Sequence, residues 1–362
     1  MNRVILLGVN GFGAQWVKPC SANGLEIVAV VDNYKEARES AHTQMHVPVS
    51  NIFDGSNNDW AGIEAEYAIE ATSPGGRVER ITAALRSGKH VIVAKPPVLC
   101  IEDMHHIIDV SNKCGKQLHV VTQKRYFPAF SKIKDIISSE ALGNLVYADI
   151  NLRVDGTFWK SGFYWRKRLP YPSLIDGSIH HFDLMRWWTG STFKSVMAAS
   201  WNTCWSPFDN DCDFSGIIRM NNGAVINYTS RWSMKHGPVI NYFDGVRLEY
   251  LNDVLEVVDG KLYRNGEYIP LTNDGRTLMD TEELNIHILK DILETINSEG
   301  TDDTYNTSAE YHLEPFRGVI GTVASLVNKR ETEFEDLEER LNEYCVSGDH
   351  FKQTMAGIFE RS

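Results

Sequence analysis

"MNRVILLGVNGFG", residues Met1 to Gly13, opens with an apolar run from Val4 that breaks at the glycines of Gly8 to Gly13. A run that does not alternate with polar residues is the mark of a strand buried on both faces. "GAQWVKPCSAN" (Gly13 to Asn23) then has the mixed pattern of a helix, and "EIVAVVD" (Glu26 to Asp32) is a second apolar run. The order strand, glycine turn, helix, strand requires the two strands to lie parallel.

The alternation continues outward. "YAIEAT" (Tyr67 to Thr72), "HVIVA" (His90 to Ala94) and "QLHVV" (Gln117 to Val121) read as further strands. Between them, "RVERITAALRSG" and "IEDMHHIIDVSNKCG" read as helices stopped at Gly88 and Gly115. Residues 1–122 are therefore expected to form an α/β domain on a parallel sheet covered on both faces. From Leu145 the pattern changes to longer strands joined by turns, with hairpin signals at Asn222-Gly223 and in "VVDGKLYRNGEYIPL" (Val257 to Leu271). Helical patterning returns over residues 281–300 and 309–330, and an acidic amphipathic segment, "ETEFEDLEERLNE", begins at Glu331. This predicts an α+β domain dominated by an antiparallel sheet over residues 123–330, and a C-terminal extension over 331–362 that suits a packing helix or an assembly contact.

A chain of 362 residues with 43% hydrophobic content suits two globular domains. Its formal charge of −12 repels phosphate backbones and anionic lipids, so nucleic acid and membrane are not expected partners. The six cysteines form no CxxC pair, and no metal site is expected from them. The amino-terminal apolar run is too short to span a bilayer and carries no cleavage-site pattern, so the expected location is cytoplasmic.

Gly8, Asn10 and Gly13 follow the GxGxxG spacing with asparagine at the second position. Small residues there let the backbone approach a pyrophosphate, whose charge meets a helix amino terminus. Asn10 is tolerable because asparagine adopts left-handed geometry more readily than most residues, and Gly11 can share that role. Asp32 ends the second strand about 20 residues on, where a carboxylate accepts hydrogen bonds from the adenosine ribose and repels a 2′-phosphate, favouring NAD over NADP. The other use of such an aspartate is to cap the helix that follows. The opening also resembles glyceraldehyde-3-phosphate dehydrogenases, but none of the six cysteines lies in the Ser-Cys-Thr-Thr-Asn-type segment that those enzymes need.

Three further segments carry a more specific resemblance: "ATSPGGR" (Ala71 to Arg77), "SGKHVIVAKPP" (Ser87 to Pro97) and "LIDGSIHHFDLMRWW" (Leu174 to Trp188) with its D-x-x-x-H-x-x-D spacing. With the amino-terminal glycines they resemble the Gfo/Idh/MocA family, named after glucose-fructose oxidoreductase, inositol dehydrogenase and a rhizopine catabolism protein, over residues 1 to about 330. The resemblance implies a Rossmann domain followed by an α+β domain on a large open sheet, a nicotinamide cofactor, and a sugar or cyclic polyol as substrate. It implies a homodimer or homotetramer paired through the exposed sheet face. It places the cofactor against Gly8, Asn10, Gly11, Phe12, Gly13, Asp32, Asn33, Thr72, Ser73, Pro74, Lys95 and Pro96. Lys95, Asp176 and His180 match the family's lysine, aspartate and histidine. The chain departs from the family at Ala94, where glutamate is usual, at Arg77, where histidine is common, and at "PYPS" before Ser173, which replaces a glycine-rich approach.

Lys95 follows an apolar strand, so its ammonium should emerge at the carboxyl end of the sheet and stabilise alkoxide charge there. Pro96 behind it permits a cis peptide. If residues 174–189 are helical, Ile175, Ile179 and Phe182 share a buried stripe, and Asp176, His180, Asp183 and Trp187 form its neighbour. His181 points about 100° away, so His180 is the histidine that Asp176 can orient to take a hydroxyl proton. "SLID" is also a capping box, with Ser173 as cap and Asp176 reaching back to it. Upstream, "FWKSGFYWRKRLPY" (Phe158 to Tyr171) offers Trp165 and Arg166 for stacking on a sugar ring and binding an anion, or is a loop of solvated charges. Arg125, Arg153, Trp232 and His236 are further candidates for substrate contact.

These residues describe an NAD-dependent oxidoreductase acting on a secondary alcohol of a sugar, sugar derivative or cyclitol. Two alternatives remain open: a glycoside hydrolase that oxidises its sugar transiently with NAD, and a dinucleotide-binding sensor without turnover.

Overall fold

The computed structural model describes residues 2–139, 141–156, 164–235, 240–241, 245–271, 281–298, 306–355 and 358. The chain divides into two compact units, 1–126 with 279–313, and 127–278 with 314–362.

In the first unit β1 (Asn2–Leu7), β2 (Leu25–Val31), β3 (Ile52–Phe53), β4 (Tyr67–Glu70), β5 (His90–Ala94) and β6 (Leu118–Val121) form a parallel sheet in the order β3-β2-β1-β4-β5-β6. Val4 to Leu7 are buried throughout, which is why their run does not alternate. β3 has only two residues, too few to show a period in the sequence. α1 (Val17–Ala22), α2 (Lys35–Met45), α3 (Arg77–Arg86) and α4 (Ile101–Cys114) provide the connections, α1 being preceded by a tighter 3-10 turn over Gly11–Trp16.

The second unit begins with α5 (Pro128–Ser139), β7 (Leu145–Val154), α6 (Tyr164–Arg168), a π turn over Ser173–Gly177 and α7 (Ile179–Thr189). β8 (Phe193–Trp201), β9 (Asp213–Met220), β10 (Val225–Arg231), β11 (Ile240–Asn241), β12 (Val246–Tyr250), β13 (Val254–Val258), β14 (Lys261–Arg264) and β15 (Glu267–Ile269) follow. α8 (Thr281–Asn297), α9 (Ala309–Asn328), β16 (Thr332–Glu333) and α10 (Gly348–Met355) close the chain. The sheet runs β15-β14-β13-β12-β7-β10-β9-β8-β16, with β11 beside β7, and is antiparallel apart from the β7–β10 pair. Its turns carry the predicted chemistry: Asp259-Gly260 and Asn265-Gly266 both have positive φ, as two-residue hairpin loops require. One face is packed by aromatic side chains, with Phe182 of α7 edge-on to Phe193 and Tyr228, and Phe130 of α5 edge-on to Trp188.

Two expectations about domain limits differ from these units. Residues 281–298 and 306–313 belong with the parallel sheet: Asn23 donates to the Ile286 carbonyl at 3.1 Å, and the backbone of Val120 donates to Thr307 at 2.8 Å. The segment from Glu331 is part of the second unit. Thr332 and Glu333 extend its sheet at β8, and Phe334, Leu337, Leu341 and Tyr344 are buried. Residues 335–345 form successive turns rather than a helix.

Candidate functional site

The glycine turn is built around one carboxylate. Asp32 is only 6% exposed, and its Oδ2 accepts from the backbone amides of Val9 at 2.8 Å and Asn10 at 3.1 Å. Its Oδ1 accepts from the amide of Tyr34 at 2.9 Å, ahead of α2. The aspartate thus ties the end of β2 to the turn and also serves the next helix. Asn10 is extended (φ −99°, ψ 149°), so the left-handed step falls on Gly11 (φ 56°) and not on the asparagine. A Cβ on Gly13 would lie 2.2 Å from the Gly8 carbonyl oxygen, so only glycine closes the turn. By contrast, no atom lies within 4 Å of where a Cβ on Gly11 would sit. Phe12 packs edge-on to Trp16, with ring centres 6.3 Å apart. The Thr72 amide donates to Glu70 at 2.9 Å, with Ser73 half-buried and Pro74 buried, while Asn33 is exposed. The open space at Gly11, the close-packed glycines and the helix start fit a pyrophosphate.

Lys95 is half-buried at the end of β5, and its bond to Pro96 is cis. Beside it lies a residue that the sequence reading noted only as a departure. Arg77, the first residue of α3, is 2% exposed, and its guanidinium donates to the carbonyls of Thr72, Ala94 (3.0 Å) and Pro96. Its Nε lies 3.5 Å from Glu70, a fully buried carboxylate that Arg80 also meets at 2.8 Å. A glutamate ending an apolar strand was the available signal, because a buried carboxylate requires cationic partners. Arg125 is buried in the same unit, donating to the Asn306 carbonyl at 2.9 Å and stacking 4.5 Å over Tyr311.

In the second unit Asp176 (2% exposed), on the π turn, and His180 (7%), in the first turn of α7, are both buried. Oδ2 of Asp176 accepts from Nε of Arg166 at 2.6 Å, and that guanidinium stacks 4.3 Å over Trp165. The structure therefore brings Trp165, Arg166 and Asp176 together. The expected capping box is not formed. The amides of Leu174 and Ile175 donate to the carbonyl of Tyr171, so the turn begins before Ser173, whose hydroxyl makes no capping bond. A chain of hydrogen bonds holds the turn: the Tyr228 hydroxyl donates to Ser178 at 2.8 Å, and Ser178 donates to the Ser173 carbonyl at 2.8 Å. With its proton given to Ser178, Tyr228 can only accept from Nδ1 of His181 at 2.9 Å. His181 is fully buried and belongs to this support. Trp232 backs the same turn, where a Cβ on Gly177 would lie 2.6 Å from its ring. Arg153 is exposed between buried Leu152 and Val154, on the sheet face opposite Tyr228. His236 and residues 158–163 lie outside the described residues.

A parallel sheet in this order, with a glycine turn and a strand-end aspartate, defines a dinucleotide-binding protein, here with a second, α+β unit. Residues 2–122 match an oxidoreductase family with an NAD-binding Rossmann fold, and residues 130–249 match the GFO/IDH/MocA C-terminal domain. The chain belongs to the Gfo/Idh/MocA family, whose cofactor is NAD. The uncharacterized protein y4oX of Sinorhizobium fredii is 23% identical over 68% of this chain and 70% of its own length. Inositol 2-dehydrogenase of Pseudomonas savastanoi pv. phaseolicola is 24% identical over 53% of this chain, which spans 55% of that relative's length. The fold is that of scyllo-inositol dehydrogenase from Lactobacillus casei, solved with NAD(H) and scyllo-inositol. Its TM-score is 0.76 at 14% identity, covering 92% of this chain and 99% of that one. No helix among the described residues is long and apolar enough to cross a membrane.

Proposed function

We propose that the protein is an NAD-dependent oxidoreductase that transfers hydride between the nicotinamide and a secondary alcohol of a sugar, sugar derivative or cyclitol. The observation that carries this reading is the lysine–proline step at the carboxyl end of β5, in a sheet whose β1 end bears the dinucleotide turn. Open α/β sheets bind their ligands along that edge. The names of the inositol dehydrogenase relatives support the substrate class.

Bound NAD supplies the hydride acceptor. Lys95 donates a hydrogen bond to the reacting oxygen and stabilises its developing negative charge. His180 accepts the hydroxyl proton on a ring nitrogen. Asp176 orients His180, and Arg166 holds Asp176 through the 2.6 Å bond. Copies of the chain pair through the open face of the second unit's sheet. The test is a panel of inositols, sugars and glycosides, with NADH formation followed by absorbance. A free polyol that reduces NAD with turnover is the expected result. Glycoside cleavage without net NADH, or tight NAD binding with no turnover on any member, would overturn the reading.

A further inference from the structure

We infer that Arg77 is the positioning residue of Lys95, and that its guanidinium ties the lysine to the loop after β4, which Arg80 also holds through Ser73 and Gly75. The inference rests on the reading of Lys95 given above. The same nitrogen, Nη1, donates to the carbonyl before Lys95, that of Ala94, and to the one after it, that of Pro96. Anchors on the carbonyls of both flanking residues restrain the backbone at Lys95, and with it the direction in which the Lys95 side chain departs. The other terminal nitrogen, Nη2, donates to the Thr72 carbonyl, in the loop after β4 that also carries Ser73 and Pro74.

Register explains how one side chain can reach all three. β4 and β5 are parallel neighbours, with Glu70 opposite Val93, so their outgoing loops leave side by side at the carboxyl edge. Arg77 opens the helix that follows β4 and directs its side chain back between those loops. Glu70 balances the buried charge, with its Oε1 3.5 Å from Nε of Arg77. Arginine is required because a planar fork meets several fixed acceptors at once, whereas a lysine ammonium on a flexible stem does not hold that geometry.

The experiment labels the lysines of the full-length protein by 13C reductive methylation and follows the Lys95 dimethylamine resonance, assigned from Lys95→Arg, through a pH titration. In Arg77→Met the Lys95 signal is expected to move into the chemical-shift envelope of the exposed lysines. In Arg77→Lys, which keeps the charge and guards against loss of folding, it should move the same way. Arg80→Gln removes a partner of Glu70 but no contact to Ala94 or Pro96, and leaves the signal in place. On a turned-over substrate, Arg77→Lys should lower kcat by about 10–100-fold, the scale of a misplaced catalytic group, with a smaller change in KM for NAD. An unmoved Lys95 resonance in either folded Arg77 variant would overturn the inference whatever the substrate. A Lys95→Met protein with unchanged turnover would instead overturn the reading of Lys95.

Discussion

His180 and His181 are neighbours in sequence, and the proposed function gives them different duties. His181 ends the hydrogen-bond chain through Tyr228 and Ser178 that holds the π turn, and it is fully buried. Removing it leaves the Tyr228 hydroxyl without that donor and opens a cavity, at a cost of about 2–4 kcal/mol. His181→Ala is therefore expected to lower the unfolding midpoint clearly, while kcat per folded molecule stays within about tenfold of wild type. His180→Ala should rank the other way: abolish turnover, lower the midpoint less than His181→Ala does, and still bind NADH by fluorescence titration. Thermal melts and kinetics on the two variants decide it, and the reverse ranking would refute the assignment within the doublet. The angular offset between adjacent helical positions predicts that the two rings face different surroundings, and His181 does turn to Tyr228. The partners of the two helix-segment residues were not legible in the sequence, since Arg166, ten positions upstream of Asp176, and Tyr228 on β10 are joined to them by folding alone.

At the level of elements, β6 shows how burial becomes a pH dependence. His119 lies on this strand, with Nε2 against the Gln117 side-chain oxygen and Nδ1 against the Thr307 hydroxyl, both at 2.9 Å. An amide oxygen can only accept, so Nε2 carries the proton, and in the neutral ring Nδ1 accepts from the threonine hydroxyl. Burial, reinforced by His90 and His312, lowers its pKa from the usual 6.5 to about 3. Between those values the unfolded chain binds a proton that the folded chain refuses. Stability from this group is therefore full above about pH 6.5 and falls as the pH drops toward 3, by up to about 1.4 kcal/mol per pH unit. His119→Asn should be less stable at pH 7.5 through its lost hydrogen bonds, yet lose about 2 kcal/mol less than wild type between pH 6.5 and pH 5. Urea midpoints at these pH values test this, and parallel losses in the two proteins would sink it. Elements with long periodic or unbroken apolar patterns, such as β1, β5 and the hairpins from β13 to β15, were legible because local chemistry decides them. The two-residue β3, the π turn before α7 and the turns after β16 were not, because tertiary pairing decides those.

On the scale of the whole molecule, the sequence divides the chain in order, whereas folding returns residues 281–298 and 306–313 to the first unit and keeps the acidic C-terminal segment in the second. Neither return has a local signature: α8 has an ordinary amphipathic pattern, and only its partners, such as Lys18 at 3.6 Å from Glu282, reveal its unit. The second unit leaves an uncovered apolar feature. Met197 and Ile217 stand opposite each other on β8 and β9, 58% and 50% exposed, with Trp201 further along the same face. The alternating partners of these residues, Val196, Ile218 and Met220, are buried on the other face, so the exposure follows from the pleat and not from a strand end. An isologous two-fold contact brings such a patch onto its own copy and removes it from water. Light scattering at micromolar concentration is therefore expected to give twice or four times the chain mass for the wild type. Ile217→Asp places like charges across that contact and should shift the mass down, toward the single chain, with the circular dichroism of the folded protein unchanged, because the substituted side chain lies outside both cores. A single-chain mass for the wild type, or an unchanged multiple in Ile217→Asp, would show that this face does not join copies of the chain.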